Sequence, residues 1–441
     1  MKESIQLNDI QEFRQKEKER KEDVALRHAI TNNGISKSAT DLSKIQSLPN
    51  VFSIDVDCGS ITNQKKSGRC WMFAGLNMLR RLVMDKLKAK DFSFSQAYLQ
   101  FYDKLEKCNF VLEMAMDCQE ESLYSPHNVF LLDSGIGDGG HFAMFVSLVK
   151  KYGLVPQESM PDTTVSADTT ELNPLLTKIL AKDVLALRDL LSKEGREKAE
   201  ELKKEMLSEI YHVLSLALGE VPTAVDYDYR DKDNVYHHIH SDSPLSFFKD
   251  YVSIDLDDFL ALSDAPLRGW KKGVKYSSPY VNNVIGGEKV VFYNVPIDTL
   301  KELAISSLKD NMPLWFAADV TEQSLRKEGY LAEDILDLSS LFGIQLLKDK
   351  GDRLSSRHSF CNHAMCLTGV NLDENGRPNR WKVENSWGKE NGKDGFYVMS
   401  DDWFTNNLYQ LIVHKKYVPE LLRKEYEEAP IVEVDPITTI F

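Results

Sequence analysis

The sequence predicts an α+β fold, with helices in the front half and strands in the back half. Two patterns carry this. From Arg69 onward, Met72, Leu76, Leu79, Val83 and Leu87 recur three or four positions apart, which lines up one face of a helix. From Glu288 the apolar period shortens towards two, in VVFYNV, PLWFAADV, AMCLTGVNL, RWKVENSW, GFYVM and YQLIVHKKYV, each bounded by Gly, Pro, Asn or Asp. Helices followed by strands, without regular alternation, argue against a βαβ sheet. At 441 residues the chain is long enough for two or three structural units, at about 150 residues per unit.

The elements follow in order. Residues 1–30 are rich in Lys, Glu, Arg and Gln, with Ile5, Leu7, Ile10 and Phe13 forming one thin apolar stripe, as in a helical arm lying on another surface. A Ser- and Asn-rich stretch leads to Gly59. After the helix beginning near Arg69, a second is expected near Ser95, through Tyr98, Leu99, Tyr102 and Leu105. A third follows His141 and stops near Gly153 and Pro156. Residues 171–218, with Leu187, Leu190 and Leu191 and later Met206, Ile210, Val213, Leu214 and Ala217, read as two or three helices making a unit of their own. Residues 221–286 are mixed.

Composition excludes several classes of function. Hydrophobic residues make up 42% and charged residues 28%, with a net charge of −14. No Lys/Arg block interrupts that acidic balance, so neither a nucleic acid nor a membrane is expected as partner. No segment reaches the roughly 18 unbroken apolar residues of a membrane helix. MKESIQLNDIQEFRQKEKERKEDV is too charged for a signal peptide. Six cysteines are too few for a disulfide scaffold, and without an export signal they are expected as free thiols in a cytoplasmic protein.

Chemistry concentrates in Gln64-Lys65-Lys66-Ser67-Gly68-Arg69-Cys70-Trp71. The loop delivers Cys70 to the first turn of a helix, where unpaired N–H groups and the positive dipole end favour a thiolate. A nearby imidazolium would lower the thiol pKa further. His363 opens the run His363-Ala364-Met365-Cys366-Leu367, and Asn385 closes a strand ahead of Ser386-Trp387-Gly388. An Asn that orients the His, with Trp387 shielding their bond from water, completes a Cys–His–Asn triad. Gln64 is placed to form an oxyanion hole with the backbone N–H of Cys70.

Gln-x5-Cys-Trp, His-Ala and Asn-Ser-Trp-Gly, in that order, resemble the papain-like cysteine peptidases. His363 follows Cys70 by 293 residues, where papain-type enzymes have about 130–150, so a large insertion separates them. That size and the charged N-terminal arm are similar to the bleomycin hydrolase/aminopeptidase C family. So are Phe94-Ser95-Gln96-Ala97-Tyr98-Leu99, Asp103-Lys104-Leu105-Glu106-Lys107, Asp138-Gly139-Gly140 and Lys151-Tyr152-Gly153-Leu154-Val155-Pro156. Met399-Ser400-Asp401-Asp402-Trp403-Phe404 fits as well. The resemblance covers residues 5–420.

It implies a papain-like fold with a helical left part and an antiparallel β-barrel-like right part. The divisions are an N-terminal arm and hook (1–60), the helical half of the core (61–164), an inserted, largely helical domain (165–285), the β half (286–418) and a C-terminal arm near the cleft (419–441). It further implies broad aminopeptidase activity on peptides, no metal or organic cofactor, and a homohexamer with internal active sites. In the family the terminal carboxylate, here that of Phe441, pairs with the substrate's amino group and limits cutting to the N-terminal residue. The family tail is small-residued. This one keeps Asp435-Pro436 but continues Ile437-Thr438-Thr439-Ile440-Phe441, and a tail too bulky for the cleft would leave an oligopeptide endopeptidase.

Blander readings stand beside these. Cys58, Cys108, Cys118, Cys361 and Cys366 read as structural thiols, and Cys361-x4-Cys366 lacks the companion pair a zinc site needs. His237-His238-Ile239-His240 reads as a solvated loop rather than a metal site, and His358 as a loop histidine. Gly135-Ile136-Gly137-Asp138-Gly139-Gly140 matches G-x-G-x-x-G, the mark of a dinucleotide-binding oxidoreductase. The strand that should follow is broken by Pro156 and Pro161. Under the peptidase reading, Gly139 and Gly140 form a bare ledge that hydrogen-bonds an extended substrate. A non-catalytic binding protein on the same fold would be marked by loss of Cys70 or His363, and both are present.

Overall fold

The computed structural model describes residues 4–436, 438, 440 and 441. Of the tail residues named above, Ile437 and Thr439 lie outside the described set. Helices Leu7–Glu19 and Asp23–Asn33 open the chain, and neither buries a residue. The arm expected as one helix is therefore two, parted at Arg20, where the backbone leaves helical geometry (ψ 63°).

The helix Cys70–Leu87 is buried on nearly every side. It lies between the sheet and the helices Gln96–Asp117 and Phe142–Tyr152. Gly75 permits the approach of the last of these, since a Cβ there would stand 2.9 Å from the Phe145 ring. The Gln96 helix starts where the Ser95 hydroxyl accepts the Tyr98 N–H at 3.1 Å. The Phe142 helix stops at Gly153, whose φ of +75° and close contact with Pro244 exclude a side chain. Residues 171–218 form two long helices, Leu172–Glu194 and Arg196–Leu218, folded back at Gly195 (φ +85°) and packed on the Gln96 helix.

The strands are β1 (Ile54–Asp55), β2 (Val225–Arg230), β3 (Tyr236–Ser241), β4 (Phe259–Ser263), β5 (Lys275–Ser277), β6 (Val291–Asn294), β7 (Leu314–Ala318), β8 (Ser324–Leu325), β9 (Tyr330–Leu331), β10 (His363–Leu372), β11 (Pro378–Glu384), β12 (Phe396–Ser400), β13 (Leu408–His414) and β14 (Ile431–Glu433). β2 and β3 make a separate hairpin. The others form one 12-stranded sheet, ordered β14-β5-β6-β4-β13-β7-β10-β11-β12-β9-β8, with β1 on β10. Its centre is antiparallel, and among the described residues the sheet stays open rather than closing into a barrel.

β7, β10 and β13 read as continuous apolar runs because both faces of the sheet are covered. Trp315, Ala317, Ala364, Cys366 and Ile412 face the helical core around the Cys70 helix. The alternate residues Leu314, Phe316, Ala318, Met365, Leu367, Leu411 and Val413 face a second core closed by the helix Ile297–Lys309, Trp381 and Trp403. The edge between the Cys70 helix and the ends of β7 and β10 carries the site.

Candidate active site

Cys70 is the first residue of its helix. The loop before it is stitched to the segment after β11. Gln64 donates its backbone N–H to the Ser386 carbonyl at 2.8 Å, and its Oε1 accepts the Ser386 hydroxyl at 2.6 Å. Asn63 bridges to Trp387. Gln64 Nε2 donates one proton to the Ser67 carbonyl at 2.6 Å, so its second N–H remains for a ligand. Two motifs more than 300 residues apart thus form one rigid unit.

His363 is the first residue of β10, opposite Ala318 of β7. Its Nε2 lies 2.8 Å from Asn385 Oδ1, which assigns the Nε2 proton to Asn385 and leaves Nδ1 for proton transfer. Trp387 stacks on the imidazole with ring centres 4.6 Å apart, and the Arg326 guanidinium lies over the Trp387 ring at 5.3 Å. The next backbone N–H, that of Ala364, points to Cys70 Sγ at 3.5 Å.

Burial dominates the electrostatics. It lifts the Cys70 thiol above its ordinary pKa, against the backbone N–H groups of Ala364, Trp71 and Cys70. It pushes the His363 imidazole down to about 4, against the Asn385 hydrogen bond. The sequence led us to expect a helix end that lowers the thiol pKa. Here desolvation is the larger effect, because both charged forms lose water.

Cys70, His363 and Gln64 line a cleft of about 470 Å³ together with Gly139, Gly140 and Phe441. The glycine ledge is held by two lysines of the Gln96 helix. Lys107 donates to the carbonyls of Gly137 and Gly139 at 2.8 and 2.7 Å, and pairs with Asp103. Lys104 donates to the Ile136 carbonyl and pairs with Asp138 at 2.7 Å. Burial works to raise the Asp138 carboxyl, but Lys104, Thr169 and the Gly68 N–H hold it far below the usual range. With these carbonyls turned to the lysines, the ledge is fixed. The two glycines differ: a Cβ on Gly139 meets nothing within 4 Å, whereas one on Gly140 would stand 2.5 Å from the Trp71 indole.

Of the described tail residues, Phe441 lines the cleft and Ile440 is seated beside it. Ile440 is fully buried beside Ala265, Leu354 and Tyr409, and Phe441 stands against His141 and Phe292, with ring centres 6.0 and 5.6 Å apart. His141 and Gln410 also line the cleft, and neither stood out in the sequence. A Gln inside the apolar run of β13 was the available signal. Lys104 and Lys107 carried one too, as lysines on the inward face of a helix.

Other candidates lie elsewhere. His237, His238 and His240 are on strand β3 rather than in a loop, because β2 and β3 alternate inward Val225, Tyr227 and Ile239 with outward polar residues. Each pairs with an aspartate, at 2.9, 2.8 and 2.8 Å. Among the described residues no three metal-ligating side chains converge. His358 is exposed near Glu322. The segment before the glycine run is a helix, Pro126–Ser134, so the strand-turn-helix that cradles a dinucleotide is not formed. Cys361 lines the cleft, while Cys58, Cys108, Cys118 and Cys366 are buried free thiols.

The model of the Peptidase C1-like family matches residues 4–437. Aminopeptidase C of Listeria monocytogenes is 38% identical over 431 residues, covering 98% of this chain and 97% of its own. Aminopeptidase E of Lactobacillus helveticus is 40% identical over 416 residues, covering 94% of each chain. The crystal structure of PepW from Lactobacillus rhamnosis superposes with a TM-score of 0.95 at 38% identity, covering 100% of this chain and 99% of that one.

Proposed function

Because the chain belongs to the peptidase C1-like family, we propose that it is a cysteine aminopeptidase that removes N-terminal residues from peptides through Cys70, His363 and Asn385. Cys70 passes its proton to His363 Nδ1 as the sulfur attacks the peptide carbonyl. The new S–C bond places the oxyanion between the free N–H of Gln64 and the N–H of Cys70. His363 then protonates the leaving amine as the C–N bond breaks. Water, losing its proton to His363, cleaves the thioester, and that proton returns to the thiolate. Asn385 orients the imidazole throughout, Trp387 screens their bond, and Gly139 and Gly140 hold the substrate backbone.

The observation that carries the exopeptidase reading is the presence of Phe441 in the same cleft as Cys70. A tail seated there takes up part of the cleft in which a longer substrate would extend. The relatives named aminopeptidase C and aminopeptidase E support the same reading. We further propose a cytoplasmic homo-oligomer, a hexamer by family resemblance. The arm helices expose Leu7 and Phe13, and among the described residues no helix is long and apolar enough to cross a membrane.

The test is one peptide, with its N-terminus free or acetylated, incubated with the purified protein under dithiothreitol. Stepwise cleavage of the free form alone is expected. Internal cleavage of both forms would replace this reading with the oligopeptide endopeptidase.

A further inference from the structure

Gln410 is a polar side chain in the middle of β13, a central strand otherwise apolar from Leu408 to Val413, and it is fully buried. A buried amide at such a position needs a partner to offset its lost hydration. Two groups meet it: Nε2 donates to the Ile440 carbonyl of the tail at 2.7 Å, and the amide also hydrogen-bonds the buried His141. The backbone aims it there. Leu408 pairs with Ala318 of β7 and Gln410 with the next residue, Ala317, so Tyr409 is an extra residue in the ladder. A bulge of this kind bends a strand and redirects the side chain that follows. Ala317, like Gln410, lines the cleft.

The tail arrives from β14, which pairs with β5 at the edge of the sheet. Within it the Thr438 N–H donates to the Asp435 carbonyl and the Phe441 N–H to the Thr438 carbonyl, each at 3.0 Å. The Ile440 side chain plugs an apolar site, but such a contact has no direction. The bond from Gln410 fixes the rotation of the last peptide unit, and with it where Phe441 points.

We propose that Gln410 is the positioning residue that clasps the C-terminal tail in the active-site cleft. It thereby sets how strictly cleavage is confined to a free N-terminus. The inference rests on the aminopeptidase reading for its consequence, though not for the clasp itself.

The experiment compares the full-length protein with Gln410→Met, which keeps length but cannot donate to Ile440, and with Gln410→Asn, whose amide falls one methylene short. Asn keeps the test alive if the Met variant does not fold. One readout is the rate at which a carboxypeptidase releases Phe441. The other is the ratio of kcat/KM on the acetylated peptide to that on the free one. Both variants are expected to release Phe441 roughly fivefold faster and to raise the ratio by a similar factor, the worth of one buried hydrogen bond. In a chain lacking Ile440 and Phe441, neither substitution should move the ratio further, because its effect runs through the tail. Release of Phe441 at the wild-type rate from a folded variant would overturn the clasp. So would a change in ratio that persists undiminished in the truncated chain. If the wild type cleaves the acetylated peptide as well as the free one, the aminopeptidase reading fails, while the carboxypeptidase arm still decides the clasp.

Discussion

Arg80 and Glu384 form an ion pair of 2.5 Å with both side chains shut off from solvent. It joins the helix that begins at Cys70 to the strand that ends just before Asn385. Arg80 also donates to the Ser60 carbonyl at 2.6 Å. Burial pushes the Glu384 carboxyl up to about 7, against the pull of Arg80 and, more weakly, Lys382, so its ionised form depends chiefly on Arg80.

Arg80→Met is therefore expected to destabilise the protein by about 3–5 kcal/mol, because it strands a buried carboxylate. The double variant Arg80→Met/Glu384→Met should recover most of that loss, since two apolar side chains need no partner. Urea unfolding midpoints of the three proteins check this. A double variant no more stable than the single would show that the pair is not the source of the effect.

Gln64→Ala is expected to lower kcat by about 10²–10³-fold with a smaller change in KM, the usual effect of losing one oxyanion donor. Asn385→Ala should lower it by about 10- to 100-fold, the worth of one hydrogen bond to a charged ring. Cys70→Ala should abolish turnover. Steady-state kinetics on a free-N-terminus peptide separate these, and wild-type activity in Cys70→Ala would sink the mechanism.

The two ledge glycines should respond differently to the same change. Gly140→Ala drives a methyl into the Trp71 indole and is expected to destabilise the fold by about 1–3 kcal/mol, as overpacking does. Gly139→Ala meets open space, so it should leave the melting temperature nearly unchanged while raising KM. Thermal melts alongside KM measurements check this, and equal melting losses for both variants would contradict it.

Stability should fall with acid through two histidines. Burial pushes His363 and His141 down to about 4 in the folded protein, so the unfolded chain takes up protons first as pH drops below about 6.5. Their contribution is complete above that value and is lost as pH falls towards 4, by about 2 kcal/mol each at pH 5. Glu384, raised to about 7, works in the opposite direction, which makes a difference measurement necessary. His141→Phe should lose less stability than wild type between pH 7.5 and pH 5 in urea titrations. An unchanged slope would mean that His141 is not held neutral.

The residues of the proposed triad stood out in the sequence because each sits at a punctuation point of its element. Cys70 opens a helix, His363 opens a strand, and Asn385 follows one. The long helices at 171–218 and the strands β6, β7 and β10 to β13 were legible for the same reason, through period and boundary, whereas the short β8, β9 and β14 were not. β4 and β5 were not, because strands of five and three residues carry too little alternation to stand out. The split of the first 30 residues into two helices was also hidden, since a charged stretch with few apolar positions records no break.

By itself, then, the sequence determined which residue types could do the chemistry and which elements present them, since periodicity and boundary signals are local. Only the tertiary structure decided the rest. It placed Gln64 against Ser386, Lys107 on the Gly139 carbonyl, Gln410 on the Ile440 carbonyl and Phe441 in the cleft. It also decided that burial outweighs the helix end at Cys70. These contacts join residues that are far apart in the chain, and desolvation depends on everything packed around a group, so no local pattern encodes them.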